Sequence, residues 1–321
     1  MSAISKALQR VLKTWTLPIA IGTGAGLYFL FAFLPSLADA GAVLGPLSVR
    51  ILPVTLFLTL FTTFAKVDCA GLRPRAWHAA VLGFQLAAVA ALAAWAVHIP
   101  PEAGGLLGKP AVVALLVCVI APCATAMPVV TAKLGGDLTQ TTAFVLLSSL
   151  LGALLIPLVF PLLAPEREMA FVPTALAILR KLAAVLLAPL VLGAAVRRWF
   201  PRIRQWLEAR PDLGFQFWCV SLAVTAGITA RNLVHSHAGA PLLGAIAGLS
   251  LAAALVQFAA GRLVGRAFGE PVCAGQAAFQ KNTGLAIWVA FIYLEPTASL
   301  GAGCYVLWQN LVNAVQLARR S

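Results

Sequence analysis

The chain has 321 residues, of which 61% are hydrophobic and 10% charged. That balance excludes a soluble globular domain and leaves a polytopic helical membrane protein. A formal net charge of +13 would suit a nucleic-acid binder, but the cations crowd into loops on one side and no nucleic-acid motif accompanies them, so the lipid bilayer and not nucleic acid is the implied partner.

In chain order, residues 1–16 form a basic, mildly amphipathic leader expected to lie on the cytoplasmic membrane surface. Spans are expected at about 17–34, 46–64, 78–98, 111–132, 138–163, 172–195, 214–231, 240–266, 272–293 and 298–317, ten segments of about 20 residues each. The first span, with its basic leader and Ala38-Asp39-Ala40, resembles a secretory signal, but the run from Leu17 to Leu34 is long enough to cross a membrane.

Sixteen of the 23 Lys and Arg residues fall on one side. They are Lys6, Arg10 and Lys13; Lys66, Arg73 and Arg75; Lys133; Arg197, Arg198, Arg202, Arg204 and Arg210; Arg262 and Arg266; Arg319 and Arg320. Arg50, Lys109, Arg167, Arg180, Lys181 and Arg231 fall on the other, which leaves Lys281 inside the membrane. The bias predicts an even number of spans with both termini cytoplasmic, as in a bacterial inner membrane.

The spans divide five plus five, with the basic connection at 197–213 following the opening helix of the second set. Residues 17–196 hold the first five-helix repeat and the opening helix of the second, which begins at about 172; 214–317 carry the rest. An odd number of spans per half inverts the second half relative to the first. Phe84-Gln85-Leu86-Ala87-Ala88 in span three echoes Gln257-Phe258-Ala259-Ala260-Gly261 in span eight. The next spans, four and nine, both carry interrupted helical patterns: Pro122 and Pro128 bracket the first break, and Gln280, Lys281, Asn282, Thr283 and Gly284 make the second. Breaks at matching positions of inverted halves point to a transporter's midplane site. The fold expected is therefore all-α and polytopic, with two inverted five-helix repeats and discontinuous crossing helices in spans four and nine.

Lys281 is the residue on which function turns. A charge at membrane depth costs about 2.5–3.5 kcal/mol on insertion scales, so a chain that keeps one has a use for it. Candidate site residues are Lys281, Asn282, Gln280, Thr283, Gln85, Thr125 and Gln257, with Pro122, Pro128 and Gly284 shaping the crossover. Ser148 and Ser149 are expected to bond back to helix carbonyls, while Gln309 and Asn310 either support the span-nine break or link helices. The six cysteines show no CxxC or Cys/His spacing, and no metal is expected. His78, His98, His235 and His237 read as interfacial, and Trp15, Tyr28, Trp77, Trp199, Trp206 and Tyr305 as an aromatic belt. Gly22-Thr23-Gly24-Ala25-Gly26 and Gly244-Ala245-Ile246-Ala247-Gly248 read as close-packing segments. Nucleophile–base pairs and nucleotide-binding loops are missing, which argues against an enzyme.

These residues resemble the bile acid:sodium symporter family, from about span two to the C-terminus. Pro122–Asp137 stands where the family has a Pro-Gly-Gly-Thr-x-Ser-Asn crossover, Ala277–Leu285 where it has Glu-x-Gly-x-Gln-Asn, and Trp308-Gln309-Asn310 looks like its Trp-x-Asn. The resemblance implies a panel of spans one, two, six and seven, and a core of three to five and eight to ten, that move against each other with a small organic anion held between them. It also implies sodium ligands that are altered here. The span-nine glutamate position is Ala277, the sodium-binding glutamine is Lys281, the Ser-Asn pair is Met127-Pro128, and a span-five hydroxyl position is Val145; the span-three glutamine remains as Gln85. A sodium site needs several hard oxygen ligands. The expectation is a carrier of carboxylates, sulfonates or bile-acid-like anions in which Lys281 replaces a bound Na⁺, solvated by Gln85, Asn282, Thr125 and freed carbonyls, with coupling to H⁺ or no ion coupling at all, and no cofactor. A sodium-coupled symporter and a non-transporting receptor-like relative are the alternatives. Substrate identity, transport direction and oligomeric state are not legible.

Overall fold

A computed structural model describes residues 15–67, 71–100, 103, 105–165, 170–236 and 238–319. Most of the leader, together with Cys69, Arg167, His237 and Arg320, lies outside the described residues. Those described are helical almost throughout: α1 (Thr16–Phe33), α2 (Ala38–Phe64), α3 (Ala76–His98), α4 (Lys109–Ile120), α5 (Met127–Lys133), α6 (Leu138–Leu163), α7 (Phe171–Trp199), α8 (Pro201–Glu208), α9 (Leu213–Val234), α10 (Ala240–Ala267), α11 (Pro271–Phe279), α12 (Thr283–Tyr293) and α13 (Pro296–Ala318). Six of these are individually long and apolar enough to cross a membrane, and a seventh span forms if the bent pair 35–48 and 50–64 counts as one. The chain is a multi-pass helical membrane protein.

The second span starts earlier than its hydropathy suggests. Helix α2 runs from Ala38 through Pro46 and Pro53, bending about 40°, because the freed carbonyls of a proline kink do not end a helix that neighbours hold in place. The connection at 197–213 is also more structured than expected. Helix α8 carries an Arg204–Glu208 pair at 2.8 Å and sinks Leu207 against Ala65 and Val196.

Spans four and nine are broken where expected, for different local reasons. Pro122 forces Ala121 into an extended conformation (ψ 137°) and stops α4; Pro128 then sits in the first turn of α5, where its missing N–H costs nothing. Span nine has no proline. Gln280 turns extended (ψ 108°), and the Asn282 side chain restarts the helix by accepting from the Leu285 N–H at 3.0 Å. After α5, Gly135 (φ 73°) reverses the chain, and Asp137 caps α6 by accepting from the Thr139 and Gln140 N–H groups.

Packing separates the helices into neighbourhoods. Helix α9 lies against α1 and α2, and α2 against α7. Elsewhere α10 packs on α11, α13 on α4, α10 and α12, and α3 on α4 and α6. Close approach depends on glycine at particular points. A Cβ on Gly301 would fall 2.4 Å from the Ala114 carbonyl oxygen, one on Gly261 2.5 Å from that of Ala274, and one on Gly24 1.8 Å from that of Ala223. The glycine runs expected to pack closely mostly do not: Gly22, Gly26, Gly244 and Gly248 each have open space where a Cβ would stand.

Candidate functional site

The two breaks meet. Cys123 and Lys281 form an isolated antiparallel bridge, with the Ala124 N–H donating to the Gln280 carbonyl at 2.9 Å and the Asn282 N–H to the Pro122 carbonyl at 2.8 Å. The unwound strands thus satisfy part of each other's backbone, as buried peptide groups must. Helices α4 and α12 pack together on one side of this crossing, and α5 and α11 on the other.

Side chains from neighbouring helices satisfy the rest in matched fashion. In the first strand, the Cys123 N–H donates to Ser148 Oγ of α6 at 2.8 Å; in the second, the Lys281 N–H donates to Gln309 Oε1 of α13 at 2.9 Å. The end of α4 is capped by Gln85 Nε2, which lies 3.1, 3.4 and 3.1 Å from the carbonyls of Val119, Ile120 and Ala121. The end of α11 is capped by Tyr305, whose hydroxyl donates to the Phe279 carbonyl at 2.7 Å and accepts from Gln257 Nε2 at 3.0 Å. The helix before each break is therefore capped by a glutamine, Gln85 of span three directly and Gln257 of span eight through Tyr305, and one side chain from span five or ten holds the extended residue.

Lys281 sits inside this framework with 1% of its surface exposed. The ion pairs among the described residues are Lys133–Asp212 and Arg204–Glu208, neither of which involves it. Described carboxylates stand at helix ends or in connections: Asp137, Asp212, Glu270 and Glu295 at N-caps, Asp39 in the first turn of α2, and Glu208 in its pair with Arg204. The described carboxylates do not build a cation site at the crossing. The positions that the family resemblance assigns to sodium are filled by buried Ala277, Met127 and Val145, by Pro128, and by the lysine itself.

The expected solvation of the ammonium needs correction. Gln85 directs its amide to three carbonyls, and Asn282 uses its side-chain oxygen as a helix cap. Thr125 is buried beside the first break, where Pro122 and Pro128 flank it; Thr283, also buried, donates its N–H to the Lys281 carbonyl at 2.9 Å. Gly284 is exposed at the start of α12. Gln280 turns away toward Gln276, which in turn donates to Gln316 at 3.0 Å. Gln257 reaches the crossing only through Tyr305.

Sequence reasoning missed two contributors. Ser148 accepts from the crossover rather than bonding back along its helix. Tyr305, read as a belt residue, is fully buried; its position three residues before Trp308-Gln309-Asn310 was the available clue. Trp77, also assigned to the belt, is buried and stacks on Phe144 with centroids 5.5 Å apart. Of the span-ten pair, Gln309 holds the crossing while Asn310 donates to Val306 in its own helix.

A crossing of two broken helices inside a multi-pass bundle defines a membrane transporter of the helical class. The sequence model of the Sodium Bile acid symporter family matches residues 53–236, more than half of the chain, and the protein belongs to that family. The match takes in the first break and ends before the second. No curated protein matches the sequence. Membership makes the chain a transporter of the bile-acid and organic-anion type.

Proposed function

We propose that the protein carries a small organic anion across the membrane by alternating access, without sodium, using Lys281 as a fixed cation at the crossing. The observation that carries this reading is a fully buried lysine placed on the bridge between two broken helices, with no carboxylate paired to it among the described residues. An uncompensated positive charge at membrane depth favours an anionic visitor, and the first N–H groups of α5 and α12 add positive partial charge at the same crossing. Family relationship supplies the substrate class; a carboxylate, a sulfonate or a bile-acid-like anion carries the required charge.

Matched capping of the two breaks supports an arrangement of ten spans as two inverted five-helix repeats. Under that arrangement α1, α2, α7 and α9 form a panel that slides against a core made of the other spanning helices, in a bacterial inner membrane with both termini cytoplasmic. The donor set favours sodium independence: a sodium ion needs hard oxygen ligands, and here alkyl side chains and an ammonium occupy their positions. A lysine can also load and release a proton during a cycle, which makes a proton gradient the coupling force to test.

The test is uptake of cholate and of short carboxylates and sulfonates into proteoliposomes. Saturable uptake that Lys281→Ala abolishes, in a protein that still folds, supports the reading. Absence of saturable uptake of any of these anions, or an undiminished rate in Lys281→Ala, overturns it.

A further inference from the structure

We propose that Lys181 and Trp288 form a second anion site, a capture station between α7 and α12 that selects organic anions with a flat aromatic or apolar ring beside the acidic group. This rests on the transport reading above.

Lys181 stands ten residues into a helix that is otherwise apolar over that stretch save for Thr174 and Arg180. The buried stripe of α7 runs through Ala175, Ile178, Leu186, Pro189, Gly193 and Val196. Arg180 faces away from that stripe, as a cation seeking the membrane surface does. Lys181 lies at its edge and reaches across to another helix, with Nζ 3.8 Å from the centroid of the Trp288 ring. Trp288 is half-buried, packs on the main apolar core and meets Tyr293 edge-on with centroids 6.4 Å apart.

The ring covers one face of the ammonium, and among the described residues no carboxylate pairs with it, the described ion pairs being Lys133–Asp212 and Arg204–Glu208. Lys181 is exposed, and a cation–π contact worth about 0.5–2 kcal/mol leaves the rest of its ammonium open to a docking anion. The indole face beside it offers a platform for a ring, which fixes the chemical class. Trp288 lies five residues along α12 from Thr283, roughly 8 Å from the crossing, on the side away from α5 and the Lys133–Asp212 pair. A captured anion would travel about one and a half helical turns to Thr283, with Lys281 two residues further on.

Two sources share this chemistry, a transported anion and the phosphate of an anionic lipid, and the test separates them. Uptake of naphthalene-2-sulfonate is measured for the parent, Lys181→Gln, Lys181→Arg and Trp288→Leu in phosphatidylcholine vesicles, then in vesicles that also contain phosphatidylglycerol. For a transported anion, Lys181→Gln raises KM about tenfold or more with the maximal rate kept, Lys181→Arg restores it, and Trp288→Leu erases the preference for naphthalene-2-sulfonate over methanesulfonate. A defect of Lys181→Gln seen only with phosphatidylglycerol assigns the site to lipid and overturns the capture station. Unchanged kinetics for Lys181→Gln in both vesicles, with Lys281→Ala inactive, overturns this inference and leaves the transport reading standing. Should the parent take up neither probe, equilibrium binding of naphthalene-2-sulfonate to detergent-purified parent and Lys181→Gln decides: equal affinities overturn the capture site.

Discussion

Replacing Lys281 by methionine should stabilise the protein and silence it. The lysine is 1% exposed and its backbone, not its ammonium, makes the bonds to Gln309. Methionine keeps a long unbranched chain that fills the same space and leaves those backbone bonds intact. Removing a buried charge worth about 2.5–3.5 kcal/mol of penalty, less whatever solvation the crossing supplies, should return up to about 2–3 kcal/mol. Thermal unfolding in detergent, followed by intrinsic fluorescence, should therefore move upward while anion uptake falls to background. A variant destabilised by more than about 1 kcal/mol would show that the ammonium is a structural member of the crossing, since loss of a compensated buried charge costs rather than gains; a variant that transports at the parental rate would refute the role given to the cation.

Other outcomes follow from the same geometry. Ser148→Ala and Gln309→Leu should each destabilise by about 1–3 kcal/mol, because each orphans one buried N–H at the crossing; urea unfolding in mixed micelles measures both, and two values near zero would refute matched support. Gly301→Val should fail to fold, since even its Cβ would meet the Ala114 carbonyl, whereas Gly248→Ala should match the parent in folded yield after solubilisation. Asp212→Asn should favour the conformation in which α5 separates from α9, through loss of its pair with Lys133, whose ring contact to Phe215 stays at 4.7 Å. With side chains 26% and 50% exposed, the pair is worth about 0.2–1 kcal/mol, so cysteine accessibility at the α5–α9 seam should rise no more than about fivefold; Lys133→Asp with Asp212→Lys should restore it.

Spans and breaks were legible because their signals are local. Hydropathy marks a membrane helix, proline stops one at Ala121, and a polar run around a buried lysine betrays the second break. What the sequence concealed depends on which way a side chain turns. Gln85, Asn282 and Thr125 were grouped around the ammonium because all three are polar and near it in span order, yet Gln85 and Asn282 satisfy backbone instead. Tyr305 looked interfacial because tyrosine often is, while here its hydroxyl ends α11. The Gly22 and Gly248 runs suggested tight seams, but close approach falls at Gly24, Gly261 and Gly301, single glycines whose partners are set by tertiary packing. Lys181 was counted as a loop-side charge, and only its approach to Trp288 distinguishes it from Arg180.

Sodium dependence of initial uptake rates tests the replacement of a bound ion by Lys281 most directly. Parent protein in proteoliposomes should transport its anion equally well with sodium or choline outside, and Lys281→Gln with Ala277→Glu should acquire a rate that rises with external sodium. A parent whose uptake is driven by a sodium gradient and stops without it would contradict the account.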